Sequence, residues 1–116
     1  MTRIIELPWT KETISKYKSP NNLLKHADPK DTGKILVTFP NLNLVGYIAW
    51  DKDTITALEV APEFRNQGIA TKLIKESGCT QLTVSKTNLK AKKLYQDLGF
   101  TVIGENNRVI FMKKDK

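Results

Sequence analysis

Val60-Ala61-Pro62-Glu63-Phe64-Arg65-Asn66-Gln67-Gly68-Ile69-Ala70-Thr71 is the stretch on which the reading of the whole chain turns. Thr54 to Val60, which leads into it, is rich in Thr, Ile and Val and reads as a strand. After Gly68, the residues Ile69, Ala70, Leu73 and Ile74 fall at helical spacing, so the stretch is a strand-to-helix corner. A helix start presents unpaired backbone N–H groups and the positive end of the helix dipole, which together attract an anion. Gly68 and Ala70 are small enough for a diphosphate to approach the backbone, Arg65 offers a charged fork and Thr71 a hydroxyl. The same residues also suit an ordinary packing corner, with Gly68 serving only a tight turn.

Working back from this corner, three strands in succession are expected at Lys34 to Phe39, Leu44 to Trp50 and Thr54 to Val60. Pro40-Asn41-Leu42-Asn43 and Asp51-Lys52-Asp53 join them as short turns, which makes neighbours antiparallel. Further back, Arg3 to Leu7 reads as a short strand, and Thr10 as the N-cap of a helix carrying Ile14 and Tyr17. Ser19-Pro20 is expected to end that helix, with a second short helix over Asn21 to His26, closed by Asp28-Pro29. Working forward, the helix after Gly68 runs to about Glu76 and stops at Ser77-Gly78. Leu82 to Val84 follows as a strand, and Asn88 to Leu98 as a helix stopped by Gly99. Phe100 to Ile103 and Val109 to Met112 form a last hairpin through Gly104-Glu105-Asn106-Asn107. With no repeat or linker in 116 residues, this order describes one mixed α/β, or α+β, domain over residues 1–116.

A second informative segment, Asn88-Leu89-Lys90-Ala91-Lys92-Lys93-Leu94-Tyr95-Gln96-Asp97-Leu98-Gly99-Phe100, occupies that later helix. Together the two segments resemble the GNAT superfamily of N-acetyltransferases. Its Arg/Gln-x-x-Gly-x-Gly/Ala loop stands here as Arg65 to Ala70, and its Asn-x-x-Ala-x-x-Leu-Tyr-x-x-x-Gly-Phe as Asn88 to Phe100. The resemblance covers residues 54–112 well, residues 34–50 by strand pattern, and the earlier ones weakly. It implies a mostly antiparallel sheet of six to seven strands, helices on its faces, and a central strand pair that splays apart.

For function, the resemblance implies acetyl-CoA as acetyl donor and a primary amine as acceptor. Arg65, Asn66, Gln67, Gly68, Ile69, Ala70 and Thr71 would hold the pyrophosphate, and Leu58 and Val60 would lie along the pantetheine arm where the strands part. Asn88 would reach the pantetheine, Lys93 the adenosine phosphate, and Tyr95 would give its proton to the leaving thiolate. A phenol suits that task because a pKa near 10 keeps the proton available at neutral pH. The chain departs from the family in two places. The helix after Gly68 is about two turns short. The carboxylate often carried by the fourth strand has no counterpart at Thr54, Thr56 or Leu58, and Glu59 has the opposite strand parity. A strand bulge near Val60 would reverse that parity; without one, water relays the amine's proton.

The net charge is +7, and it is uneven: residues 1–71 hold nine Lys/Arg against eight Asp/Glu, whereas residues 72–116 hold ten against four. Such an excess attracts nucleic acid, an anionic membrane or a phosphate-bearing ligand, or is simply a soluble surface rich in lysine, and no basic strand interleaved with aromatics is present for single-stranded nucleic acid. Nucleic acid is therefore an open partner but not a required one, as is a second copy of the chain. The alternative reading is a catalytically weak domain of the same fold that binds nucleic acid or a protein through its basic face. No apolar run approaches the length of a membrane span, and the first residues lack a signal-peptide pattern. A lone Cys79 and a lone His26 form neither a disulfide nor a metal set, and a reducing cytoplasm is the expected setting. Cys79 has no nearby histidine to activate it, which favours direct acetyl transfer without an acyl-enzyme.

Overall fold

A computed structural model describes residues 3–21, 23–25, 27–39 and 42–115. One seven-stranded sheet runs through it in the order β1-β2-β3-β4-β5-β7-β6. The strands are β1 (Arg3–Leu7), β2 (Thr32–Phe39), β3 (Leu44–Asp51), β4 (Thr54–Val60), β5 (Gln81–Ser85), β6 (Thr101–Glu105) and β7 (Val109–Lys113). Every neighbouring pair is antiparallel except β4 and β5. Among the described residues three α-helices cover the sheet: α1 (Lys11–Asn21), α2 (Ile69–Ser77) and α3 (Leu89–Asp97).

The two faces carry separate cores. Leu73 and Ile74 of α2 and Tyr95 of α3 pack on Ile48, Ile55, Val60, Leu82, Ile110 and Met112. On the opposite face Ile14 and Tyr17 of α1 pack on Ile35, Val37 and Tyr47. α1 starts as its sequence indicates, the Thr10 hydroxyl accepting from the Thr13 N–H at 3.1 Å. Nine-residue α2 stops at Gly78, whose φ of +69° suits glycine.

Several boundaries differ from the sequence reading. α1 runs through Pro20 to Asn21, because a proline in the last turn forfeits only one intrahelical bond. Residues 23–25 form a turn, not a second helix, while Asn22 and His26 lie outside the described residues. Pro40 and Asn41 of the expected β2–β3 turn lie outside them too. β6 continues to Glu105, because a bulge at Ile103 lets Gly104 pair with Phe111. The last turn therefore falls on Asn106-Asn107-Arg108, where the Asn106 carboxamide oxygen accepts from the Arg108 and Val109 N–H groups.

Close packing between α1's leading loop and the sheet depends on Gly33. A Cβ there would lie 2.5 Å from the Ile48 carbonyl oxygen and 2.7 Å from the Trp9 ring. Gly33→Ala is expected to destabilise the fold by about 1–3 kcal/mol, the usual range for overpacking. A urea melt checks this, and an unchanged midpoint would contradict the packing described.

Candidate active site

β4 and β5 pair only at Thr54↔Gln81 and Ile55↔Leu82, then separate, although β5 stays paired with β7 as far as Ser85↔Val109. A bulge explains the separation. The β3–β4 register passes from Trp50↔Ile55 to Ala49↔Ala57, leaving Thr56 as the extra residue on β4. Bulged strands bend and twist more strongly, and β4 leaves β5 at this residue.

The gap opens a cleft of about 480 Å³. Leu58, Glu59 and Val60 form one wall, residues 64–66 and 68–71 the floor, and Asn88, Lys90, Ala91, Leu94 and Tyr95 of α3 the other wall. The β4 backbone is open towards it. Ala61 N–H donates to the Val45 carbonyl at 2.7 Å, which makes Glu59–Tyr47 a hydrogen-bonded pair and Val60–Gly46 a non-hydrogen-bonded one. Leu58 and Val60 therefore direct their N–H and C=O groups away from β3, into the gap. The Arg65 Nε–H donates to the Val60 carbonyl at 3.1 Å and ties the floor to the wall.

The floor is the start of α2. Gly68 is its N-cap, with φ of +78° and no side-chain cap, so the first-turn N–H groups of Ile69, Ala70 and Thr71 have no such partner. A Cβ built on Gly68 meets nothing within 4 Å. Open space, uncapped donors and the dipole's positive end coincide there. On α3, the Asn88 side-chain oxygen caps the helix by accepting from the Ala91 N–H at 3.1 Å.

Tyr95 sits deep in the cleft, 9% exposed, with its ring edge-on to Phe100 at 6.0 Å. Burial, and after it the negative charge of Glu59, push the phenol up to about 12. It keeps its proton throughout the neutral range.

A family model for the acetyltransferase (GNAT) domain matches residues 31–102, which include every element of this cleft. The chain belongs to the GNAT acetyltransferase family. Nourseothricin acetyltransferase shares the GNAT fold with a TM-score of 0.62 at 22% identity, over 75% of this chain and 66% of that one. An acetyltransferase of Bacillus anthracis, solved in complex with acetyl coenzyme A, scores 0.61 at 19% identity, over 81% and 68%. Arabidopsis thaliana Naa50, bound to the bisubstrate analogue CoA-Ac-MVNAL, scores 0.70 at 17% identity, over 97% and 99%. At these identities the likeness is one of fold. No curated protein sequence matches the chain.

Of the residues singled out from the sequence, Leu58, Val60, Arg65, Asn66, Gly68, Ile69, Ala70, Thr71, Asn88 and Tyr95 all line this GNAT cleft. Gln67 does not, its side-chain amide turning back to the Glu63 carbonyl at 3.3 Å. Lys93 is exposed outside the lining, 3.7 Å from Asp97, and the lysine at the cleft is Lys90. Among the described residues Glu59 is the one carboxylate in the lining. A bulge lies at Thr56 rather than near Val60, and it sets the parity of the residues after it: Ile55, Leu58 and Val60 all face the α2–α3 core, so Glu59 shares its face with Ala57 and Tyr47. That is the face of Thr54, where regular alternation would have left Glu59 on the opposite side. Cys79 is buried away from the cleft, and burial pushes its thiol up, leaving it inert. Among the described residues no helix is long and apolar enough to cross a membrane.

Proposed function

We propose that this chain, as a single domain over residues 1–116, is an acetyl-CoA-dependent N-acetyltransferase that passes acetyl directly to a primary amine in the cytoplasm. The observation that carries the proposal is one cleft onto which open the Val60 N–H, the uncapped start of α2 and the protonated phenol of Tyr95. Arg65 and the N–H groups of Ile69, Ala70 and Thr71 hold the pyrophosphate, with Asn66 and Gln67 shaping the loop. Leu58 and Val60 pair with the pantetheine amides as an added strand would. Asn88 keeps its carboxamide N–H₂ for the pantetheine while its oxygen caps α3. Lys90 and, further round the same helix, Lys93 supply positive charge towards the adenosine phosphate.

The chemistry balances on these residues. The amine nitrogen attacks the thioester carbon, whose oxygen accepts a hydrogen bond from the Val60 N–H; the C–S bond then breaks, and the thiolate takes the Tyr95 proton. The amine's own proton leaves to Glu59, directly or through water. Proximity of the two reactants supplies much of the acceleration. Related folds include a nourseothricin acetyltransferase and Naa50 solved with a peptide-bearing analogue, so both small and peptide amines belong in an acceptor screen.

CoA is expected to raise the melting temperature, stabilising the protein by about 2.7 kcal/mol at a concentration about 100 times its dissociation constant. No shift at millimolar CoA would overturn the proposal. The excess of positive charge in residues 72–116 favours a second reading, a macromolecular acceptor or partner docked on that face. RNA mobility shifts at two salt concentrations test it, since binding by phosphate contacts weakens steeply with salt.

A further inference from the structure

Gly46 lies on β3, outside the lining of the cleft, directly opposite Val60. A Cβ built on it would stand 2.8 Å from the Glu59 carbonyl oxygen, 3.3 Å from the Val60 Cα and 3.4 Å from a Val60 methyl. The first two are backbone atoms, which cannot swing aside as the end of a long side chain can. The Glu59–Val60 peptide thus rests against the bare Cα of Gly46, its carbonyl towards β3 and its N–H towards the gap. A second feature fixes the same spot. The β2–β3 register passes from Leu36↔Gly46 to Val37↔Leu44, so β3 bulges at Val45, whose carbonyl holds the Ala61 N–H at 2.7 Å.

We infer that Gly46 is a positioning residue for acetyl-CoA, setting the depth at which the Val60 N–H faces the thioester and pantetheine. This rests on the cleft's reading as a CoA site. A side chain at residue 46 would have to push the Glu59–Val60 peptide away from β3. Because β5 has already departed, the peptide would move into the cleft, narrowing it and turning the N–H off its target. The nucleotide end is held at the start of α2, beyond this peptide, and is left in place.

Gly33 provides the matched control, because a Cβ there collides as badly but on the β2 side, away from the cleft. Titration calorimetry of the parent, Gly46→Ala and Gly33→Ala with CoA and with adenosine 3′,5′-bisphosphate, which lacks the pantetheine, separates the two effects. Gly46→Ala is expected to weaken CoA about fivefold or more, the scale of one lost backbone hydrogen bond, and to leave the nucleotide's affinity unchanged. Gly33→Ala should lose stability and keep both affinities. Undiminished CoA binding by Gly46→Ala, or equal losses of CoA and nucleotide, would overturn the inference while leaving the CoA site standing. A parent that binds neither ligand would remove both. Should Gly46→Ala fail to fold, the parent decides the matter by NMR. The Val60 amide resonance is expected to move markedly on CoA addition, and its immobility in a CoA-saturated sample would overturn the inference.

Discussion

Tyr95→Phe is expected to slow acetyl transfer by about 10²-fold or more, the low end of acid–base contributions, while CoA affinity hardly moves. The substitution keeps the ring that packs edge-on against Phe100 and removes the one proton that the departing thiolate would take from the cleft wall. With the phenol pushed up to about 12 by burial and by Glu59, the parent's hydroxyl is fully protonated at any ordinary assay pH. Activity should therefore not fall with Tyr95 ionisation anywhere in the ordinary assay range. A second readout concerns stability. A phenol whose folded pKa is raised contributes stability that is fully present below its unfolded value near 10 and is lost as pH rises towards 12. The parent should thus lose more stability than the Phe variant over that window, and the two should melt alike at neutral pH. Polyamines, amino acids and lysine peptides form the acceptor panel. Equal turnover by parent and variant on the best acceptor would strike Tyr95 from the catalytic groups and leave the thiolate to be protonated by water.

Much of this site was legible in the chain because its chemistry is local in sequence. Residues 64–66 and 68–71 form a floor whose donors come from one helix start, and Asn88, Ala91 and Tyr95 are successive contacts along another helix. Composition and spacing expose such features directly. What stayed hidden depends on pairing between segments. Thr54 to Val60 reads as a regular strand, and nothing in Thr-Ile-Thr-Ala marks Thr56 as a bulge; the extra residue exists only relative to β3. Yet this bulge both parts β4 from β5 and moves Glu59 to the face of Thr54. The exchange of Lys90 for Lys93 at the lining has a similar origin. Both sit on one helix, and only the docking of α3 on the sheet decides which one borders the cleft. Gly104, read as a turn glycine, is instead a paired strand residue facing Phe111.

Gly68→Val is expected to abolish the stabilisation by CoA, and a partner substitution at the other end of the same helix isolates the cause. Gly68 and Gly78 flank α2 with φ of +78° and +69°, and a Cβ on either meets nothing within 4 Å. Valine at either position must therefore adopt a left-handed backbone, at a cost of about 1–2 kcal/mol, without colliding with the protein. The strain is the same, but the surroundings differ. Gly68 lines the cleft before the uncapped N–H groups of Ile69, Ala70 and Thr71, where the branched side chain would take the space of an incoming diphosphate. Gly78 closes the helix at its C-terminal end, away from the cleft. Thermal melts with and without CoA should show both variants less stable than the parent by similar amounts. Gly78→Val should regain the parent's full increment, about 2.7 kcal/mol at a ligand concentration about 100 times the dissociation constant, whereas Gly68→Val should regain none. If both variants respond to CoA equally, the diphosphate does not lie at the start of α2, and Arg65 with its neighbours must be released from that role. If neither responds, helix strain rather than occupied space governs binding, and the open volume before Gly68 is not the phosphate's seat.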